Sequence, residues 1–193
     1  MPRIDSEKFY TSAIEMHGTS AKGVNWASKG NQQLRFDMLL QLLPQDLSSS
    51  TVADAGCGFG DLYTFMTKKK RTPKKYIGID SLIDMYSIAS AQTGCEIIQA
   101  EICKDVIPKA DYYVCSGALN ILSEFETHLF IQNCYKSSKK AFVFNALFGE
   151  QSSQIYNYLT KEKIDKIAKD LKVKEVTYHQ GYLEHDITIR FLR

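Results

Sequence analysis

From residue 50 onward, short apolar runs alternate with amphipathic stretches. The runs Thr51–Ala55, Lys75–Asp80, Glu96–Ala100, Asp111–Ser116 and Lys140–Asn145 are brief and rich in β-branched and aromatic residues, and they predict strands. Between and after them, Asp61–Lys69, Leu82–Ala91, Ser123–Ser137 and Thr160–Leu171 read as helices, the last with Ile164, Ile167, Ala168 and Leu171 on one face. Ser123-Glu124-Phe125-Glu126 has the form of a capping box, in which each side chain satisfies an amide of the first turn. Two further strands, Val173–Tyr178 and Asp186–Leu192, are joined by a loop holding Gly181 and read as a hairpin-like pair. The alternation predicts an α/β fold whose parallel sheet is covered by helices on both faces.

The first 30 or so residues are polar and broken by Gly18, Gly23 and Gly30, with room for one short helix over Glu7–Met16. Gln32–Leu43 then carries a broad apolar face, and Pro44 ends it. The chain of 193 residues fits a single domain, with 1–45 as a helical lid segment on a core of 50–193.

Composition narrows the class without naming a chemistry. The net charge of +2 is too small to argue by itself for nucleic acid or a membrane surface. No apolar run approaches the ~18 residues of a bilayer span, and Met1–Glu7 lacks the apolar core of a signal peptide. The 5 cysteines form no CxxC pair and have no metal-ligand spacing, so no metal is expected. Most lie in apolar segments, as reduced thiols of a cytoplasmic protein would.

The run Asp54-Ala55-Gly56-Cys57-Gly58-Phe59-Gly60-Asp61 joins the first strand to the first following helix. Alternate glycines allow a tight turn and let a ligand lie against bare backbone. Ligands of open parallel sheets sit at the carboxyl ends of the strands. The second strand ends on Asp80, about 20 residues beyond Gly60, where a carboxylate can accept both hydroxyls of a ribose. The third ends at Gln99-Ala100-Glu101 and the fourth at Cys115-Ser116-Gly117-Ala118. A dinucleotide fingerprint would run G-x-G-x-x-G, whereas the spacing here is Gly56-x-Gly58-x-Gly60. Carboxylates at the turn would also repel a pyrophosphate.

This pattern resembles motif I of the class I S-adenosylmethionine-dependent methyltransferases, over about residues 50 to 145 and more loosely over the last two strands. The resemblance implies a doubly wound, mostly parallel, seven-stranded Rossmann-like sheet with a reversed last strand, an N-terminal helical extension, and S-adenosylmethionine as cofactor. It implies that Asp54, Gly56 and Gly58 line the methionine part and Asp80 the ribose. Leu82 and Ile83 would wall the adenine, Glu101 would receive its amino group, Ser116 and Gly117 would face the sulfonium, and Cys57 and Ile102 are further cofactor-binding candidates. Arg35 is a candidate bidentate partner for the cofactor carboxylate, and Trp26 a candidate lid.

A methyl group on a sulfonium is already activated, so proximity and alignment can do most of the catalytic work. If a base is used, His179 and His185 in or beside the loop of the final hairpin are candidates, ahead of His17 and His128. After the fourth strand the chain reads Ser116-Gly117-Ala118-Leu119-Asn120 and lacks the Asn/Asp-Pro-Pro-aromatic motif of exocyclic-amine methylation. That ranks a small-molecule acceptor first. RNA or protein as acceptor, or a non-catalytic cofactor-binding partner subunit, are the alternatives, with an NAD-dependent oxidoreductase behind them. The basic cluster at 68–75 invites nucleic acid, but with Lys136, Lys139 and Lys140 it falls at the amino ends of the strands, away from the expected site.

Overall fold

In a computed structural model, which describes residues 5–24 and 28–193, the polar N-terminal segment forms α1 (Ser6–His17), capped by Asp5, whose side chain accepts the Lys8 N–H at 3.1 Å. A 3₁₀ turn (Ala21–Val24) follows, then α2 (Lys29–Gln41), where the Ser28 hydroxyl accepts the Asn31 N–H at 3.1 Å. These side chains satisfy first-turn amides that have no partner within the helix.

The alternating segment gives β1 (Thr51–Ala55), α3 (Asp61–Lys68), β2 (Lys75–Asp80), α4 (Ile83–Thr93), β3 (Glu96–Gln99), β4 (Ala110–Cys115), α5 (Glu124–Ser137) and β5 (Ser138–Phe148). The capping box of α5 is present, with Ser123 and Glu126 each bonding the other's backbone. After β5 come β6 (Tyr158–Leu159), α6 (Lys161–Asp170), β7 (Glu175–Gln180) and β8 (Asp186–Leu192). The sheet runs β3-β2-β1-β4-β5-β8-β7, with β6 paired to the end of β5. Strands β1 to β5 are parallel, and β8 lies antiparallel between β5 and β7. The doubly wound sheet with one reversed last strand is therefore present.

Three details differ from the sequence expectation: the short β6 is an eighth strand beyond the seven expected, and β5 and β7 have shifted bounds. Strand β5 extends to Phe148 because β4, β8 and the short β6 all pair along it. Strand β7 starts late because the Val173 N–H donates to the Ala168 carbonyl at 2.9 Å while Lys172 takes φ 53°, which closes α6 before extended structure can begin.

The period-two alternation of the strands divides the core. Val52, Tyr112, Val114, Ala141 and Val143 pack with Phe36, Leu39 and Leu40 of α2 and Leu62, Phe65 and Met66 of α3. Ala53, Ala55, Tyr113, Cys115, Phe142 and Phe144 pack on the other side with Phe130, Ile131 and Cys134 of α5 and Ile164, Ile167 and Ala168 of α6. Strand order reverses at β1 and β4, which opens the crevice in which ligands of such sheets bind. Among the described residues no helix is long and apolar enough to cross a membrane.

Candidate active site

The glycine turn is shaped for close approach. The Gly56 and Cys57 N–H groups both donate to the Ile79 carbonyl, at 2.8 and 3.1 Å, folding the end of β1 over β2. Gly56 has φ +75°, and a Cβ there would lie 2.5 Å from the Ala118 Cβ. Gly60 has φ +81°, and a Cβ there would lie 2.4 Å from the Thr93 Cγ2. Both positions are closed to side chains by sterics and by backbone conformation.

Carboxylates gather beneath this turn. The Gly58 N–H donates to Asp80 Oδ2 at 2.9 Å and the Leu82 N–H to Oδ1 at 3.1 Å, so backbone fixes both oxygens and leaves lone pairs for a ligand. Asp54, 2% exposed at the end of β1, accepts the Tyr76 hydroxyl at 2.6 Å. Asp61 opens α3 and accepts Gln32 Nε2 of α2 at 2.9 Å. Burial, and then the charges of Asp80 and Asp61, push the Asp54 carboxyl up to about 7, against the opposing pull of the Tyr76 hydrogen bond. Burial also raises Asp80, against the backbone amides that hold its charged form. Two buried acids, Asp54 and Asp80, in one low-dielectric space favour a cationic ligand.

They line a cavity of ≈ 210 Å³. Asp54, Gly56, Cys57, Gly58, Asp80, Leu82, Glu101, Ile102, Ser116 and Gly117, all expected from the sequence, line it together. Glu101 stands at its rim, its backbone N–H donating to Asp105 Oδ2 and its carboxylate accepting Lys104 Nζ, each at 2.7 Å. The Ser116 hydroxyl donates to Asn145 Oδ1 at 2.8 Å, and Asn145 Nδ2 donates to Thr188 Oγ1 at 2.6 Å. The Thr188 hydroxyl donates in turn to the Tyr182 oxygen at 2.8 Å. This buried chain ties the floor of the cavity to β5 and β8, and pairwise reading of the sequence had no signal for it.

Four expected residues stand elsewhere. Arg35 does not reach the cavity: its Nε donates to Asp186 Oδ2 at 2.7 Å and its Nη2 to Oδ1, in a pair whose side chains are 7% and 3% exposed. Helical phase explains this, because Gln32 and Phe36 take the cavity side of α2 and Arg35 turns toward β8. Ile83 is the first residue of α4 and 56% exposed, and Met85 fills the apolar wall in its place. His185 faces Gln151, 2.8 Å from its Nδ1, and Glu184, while His179 sits on β7 at the far edge of the sheet. The hairpin loop is at the carboxyl ends as expected, but neither imidazole lines the cavity. Trp26 lies outside the described residues. Sequence reasoning missed Phe9 and Tyr10 of α1, Asn120, and Tyr156, all of which line the cavity. Asn120 closes the Ser116–Asn120 run after the fourth strand, whereas the segments of Phe9, Tyr10 and Tyr156 carry no motif and reach the site only through folding.

No protein-family model matches the sequence, and no curated protein matches it at a significant level. Comparison of folds is informative. A magnesium protoporphyrin IX methyltransferase from Synechocystis PCC 6803 with bound S-adenosylmethionine superimposes with a TM-score of 0.71 at 13% identity, over 100% of this chain and 99% of that one. This chain has the fold of the S-adenosylmethionine-dependent methyltransferases. Human N-acetylserotonin methyltransferase, also in complex with S-adenosylmethionine, gives 0.69 at 12% identity over 98% of this chain and 60% of that one. The methyltransferase domain of bacterial CtHen1-CN gives 0.67 at 15%, over 84% and 99%. Under this methyltransferase fold the carboxyl-end crevice coincides with the cavity built above from its residues.

Proposed function

We propose that the chain is an enzyme that transfers a methyl group from S-adenosylmethionine to a small-molecule acceptor. The observation that carries this reading is the set of carboxylates at consecutive strand ends, Asp54, Asp80 and Glu101, around one cavity under a glycine turn. The donor set fits the cofactor: buried acids suit its two cationic groups, and bare backbone at Gly56 and Gly58 suits its close approach. When bound, S-adenosylmethionine supplies a methyl group activated on a sulfonium. Asp80 would hold the ribose hydroxyls with the lone pairs left by its backbone amides. Asp54 would face the ammonium, Glu101 would accept from the adenine amine, and Leu82, Met85 and Ile102 would wall the ring.

Ser116 and Gly117 would face the transferring methyl, with Ser116 oriented through Asn145. Helix α1 would exclude water with Phe9 and Tyr10. No histidine is assigned as a base: alignment of the acceptor in a dry cavity is the catalytic device.

The fate of the basic cluster supports a small acceptor over RNA. Arg71 donates to the carbonyls of Leu40 at 2.8 Å and Leu43 at 3.2 Å behind α2, Lys69 pairs with Asp37 at 2.9 Å, and Lys75 pairs with Glu96 at 2.6 Å. These cations serve the amino-end face of the sheet. Calorimetric titration with S-adenosylmethionine and S-adenosylhomocysteine, with NAD as control, tests the reading. Micromolar binding of the first two is expected, and binding of NAD alone would overturn it.

A further inference from the structure

The 3₁₀ turn Ala118–Ile121, which follows Ser116 and Gly117, holds a polar group that the protein leaves unsatisfied. The backbone of Asn120 is fully used: its N–H donates to the Gly117 carbonyl at 3.0 Å, and its carbonyl accepts the Asn157 N–H at 2.7 Å. Asn120 lines the cavity, and its Oδ1 is shut off from solvent with no hydrogen-bond partner. Among the described residues only Arg190 Nε shares that condition, and Arg190 is on β8, on no wall of this cavity. The neighbouring polar groups are satisfied, Ser116 by Asn145 at 2.8 Å and Thr127 by Asn157 Nδ2 at 2.8 Å. A buried acceptor without a donor carries the full cost of desolvation. A ligand that brings an O–H or N–H removes it. The terminal carboxamide torsion is broad, so a modest turn brings the oxygen onto such a donor.

Aromatic residues line the same cavity as Asn120. Asn157, fixed to Asn120 and Thr127, brings its neighbour Tyr156 to the cavity, while α1 brings Phe9 and Tyr10. On the methyltransferase reading, the turn that follows Ser116 and Gly117 faces the acceptor, and Tyr10 and Tyr156 lie close enough to feel each other's charge. Asp54 and Asp80 in the same cavity oppose an anion.

We infer that Asn120 selects the acceptor, and that the acceptor is a small, uncharged aromatic molecule whose O–H or N–H donates to Asn120 Oδ1 while Tyr10 and Tyr156 contact its ring. This rests on the methyltransferase reading for which side of the cavity is the acceptor's. The test titrates phenol, anisole and toluene into the full chain saturated with S-adenosylhomocysteine, for the wild type and Asn120→Leu, by ligand-observed NMR. Phenol is expected to bind about tenfold more tightly than toluene or anisole, the effect of one net hydrogen bond. In Asn120→Leu the preference should vanish while affinity for S-adenosylhomocysteine stays unchanged. Asn120→Ala gives the same contrast if leucine disturbs the turn.

Equal affinity for the three probes in the wild type would overturn the assignment, as would a phenol preference that survives in both variants. Anisole matching phenol would also overturn it, by making the amide nitrogen the recognising atom. Failure of S-adenosylhomocysteine to bind would instead sink the methyltransferase reading. The phenol–toluene contrast measured without it would then decide the role of Asn120 alone.

Discussion

Two parts of the cavity lining are made of different materials. Under the glycine turn, the walls are backbone amides and carboxylates on adjacent strand ends, held by bonds such as Gly58 N–H to Asp80 at 2.9 Å. The rest of the lining includes Phe9, Tyr10, Asn120 and Tyr156, which arrive from a helix, a 3₁₀ turn and a loop far apart in the chain. The first part is specified by sterics and by hydrogen bonds that leave few alternatives. The second depends on how peripheral segments dock.

The comparison can be broken most severely through Arg35. Arg35→Met should cost about 3–5 kcal/mol of stability, because it strands the buried Asp186 charge. Urea denaturation would measure this, with cofactor affinity in the remaining folded protein little changed. A fall in affinity without destabilisation would return Arg35 to the cofactor site. Next, Asp80→Ala should lower S-adenosylmethionine affinity by about 3 kcal/mol, roughly a hundredfold, through the loss of two charged hydrogen bonds, while circular dichroism remains native. Retained binding would exclude Asp80 as the ribose ligand. Gly56→Ala places a Cβ 2.5 Å from that of Ala118 at φ +75°, and should cost about 1–3 kcal/mol while also weakening cofactor binding.

The Asp54 carboxyl supplies a subtler test. Its pKa in the folded chain is raised from 3.8 to about 7, so the folded state holds the proton more tightly than the unfolded state does. Its contribution to the stability of the ligand-free protein is therefore fully present below about pH 4 and is lost as pH rises through 7. A cationic ligand needs the charged form, so cofactor affinity should rise across pH 6 to 8 with uptake of the site proton by buffer, which calorimetry in buffers of different ionisation heat would detect. The smallest effect is expected from Tyr76→Phe. It removes the 2.6 Å hydrogen bond to Asp54, should cost about 1 kcal/mol, and should move that pH dependence upward, because the bond favours the charged carboxylate. An unmoved profile would place its origin in another group.

Legibility followed the locality of the forces. The capping box at Ser123 and Glu126, the turn from Gly56 to Gly60, and the acids at strand ends depend on neighbours in sequence, and each was readable before folding. Arg35 was misassigned because guanidinium chemistry is visible in sequence but helical phase relative to the sheet is not. Ile83 failed similarly: one residue decides whether a side chain at the start of α4 faces the cavity or water. His179 falls on β7, which the strand order sets at the far edge of the sheet, while His185 turns to Gln151.

By itself, the sequence determined the alternation of strands and helices, the glycine turn and the acids that flank it, because period, turn sterics and short-range hydrogen bonding are written in consecutive residues. Only the tertiary structure decided that Asp54, Asp80 and Glu101 share one cavity with Tyr10, Asn120 and Tyr156, and that Arg35 belongs to Asp186 instead. Those partnerships join segments separated by tens of residues. Their geometry is set by how whole elements pack, and no local pattern encodes it.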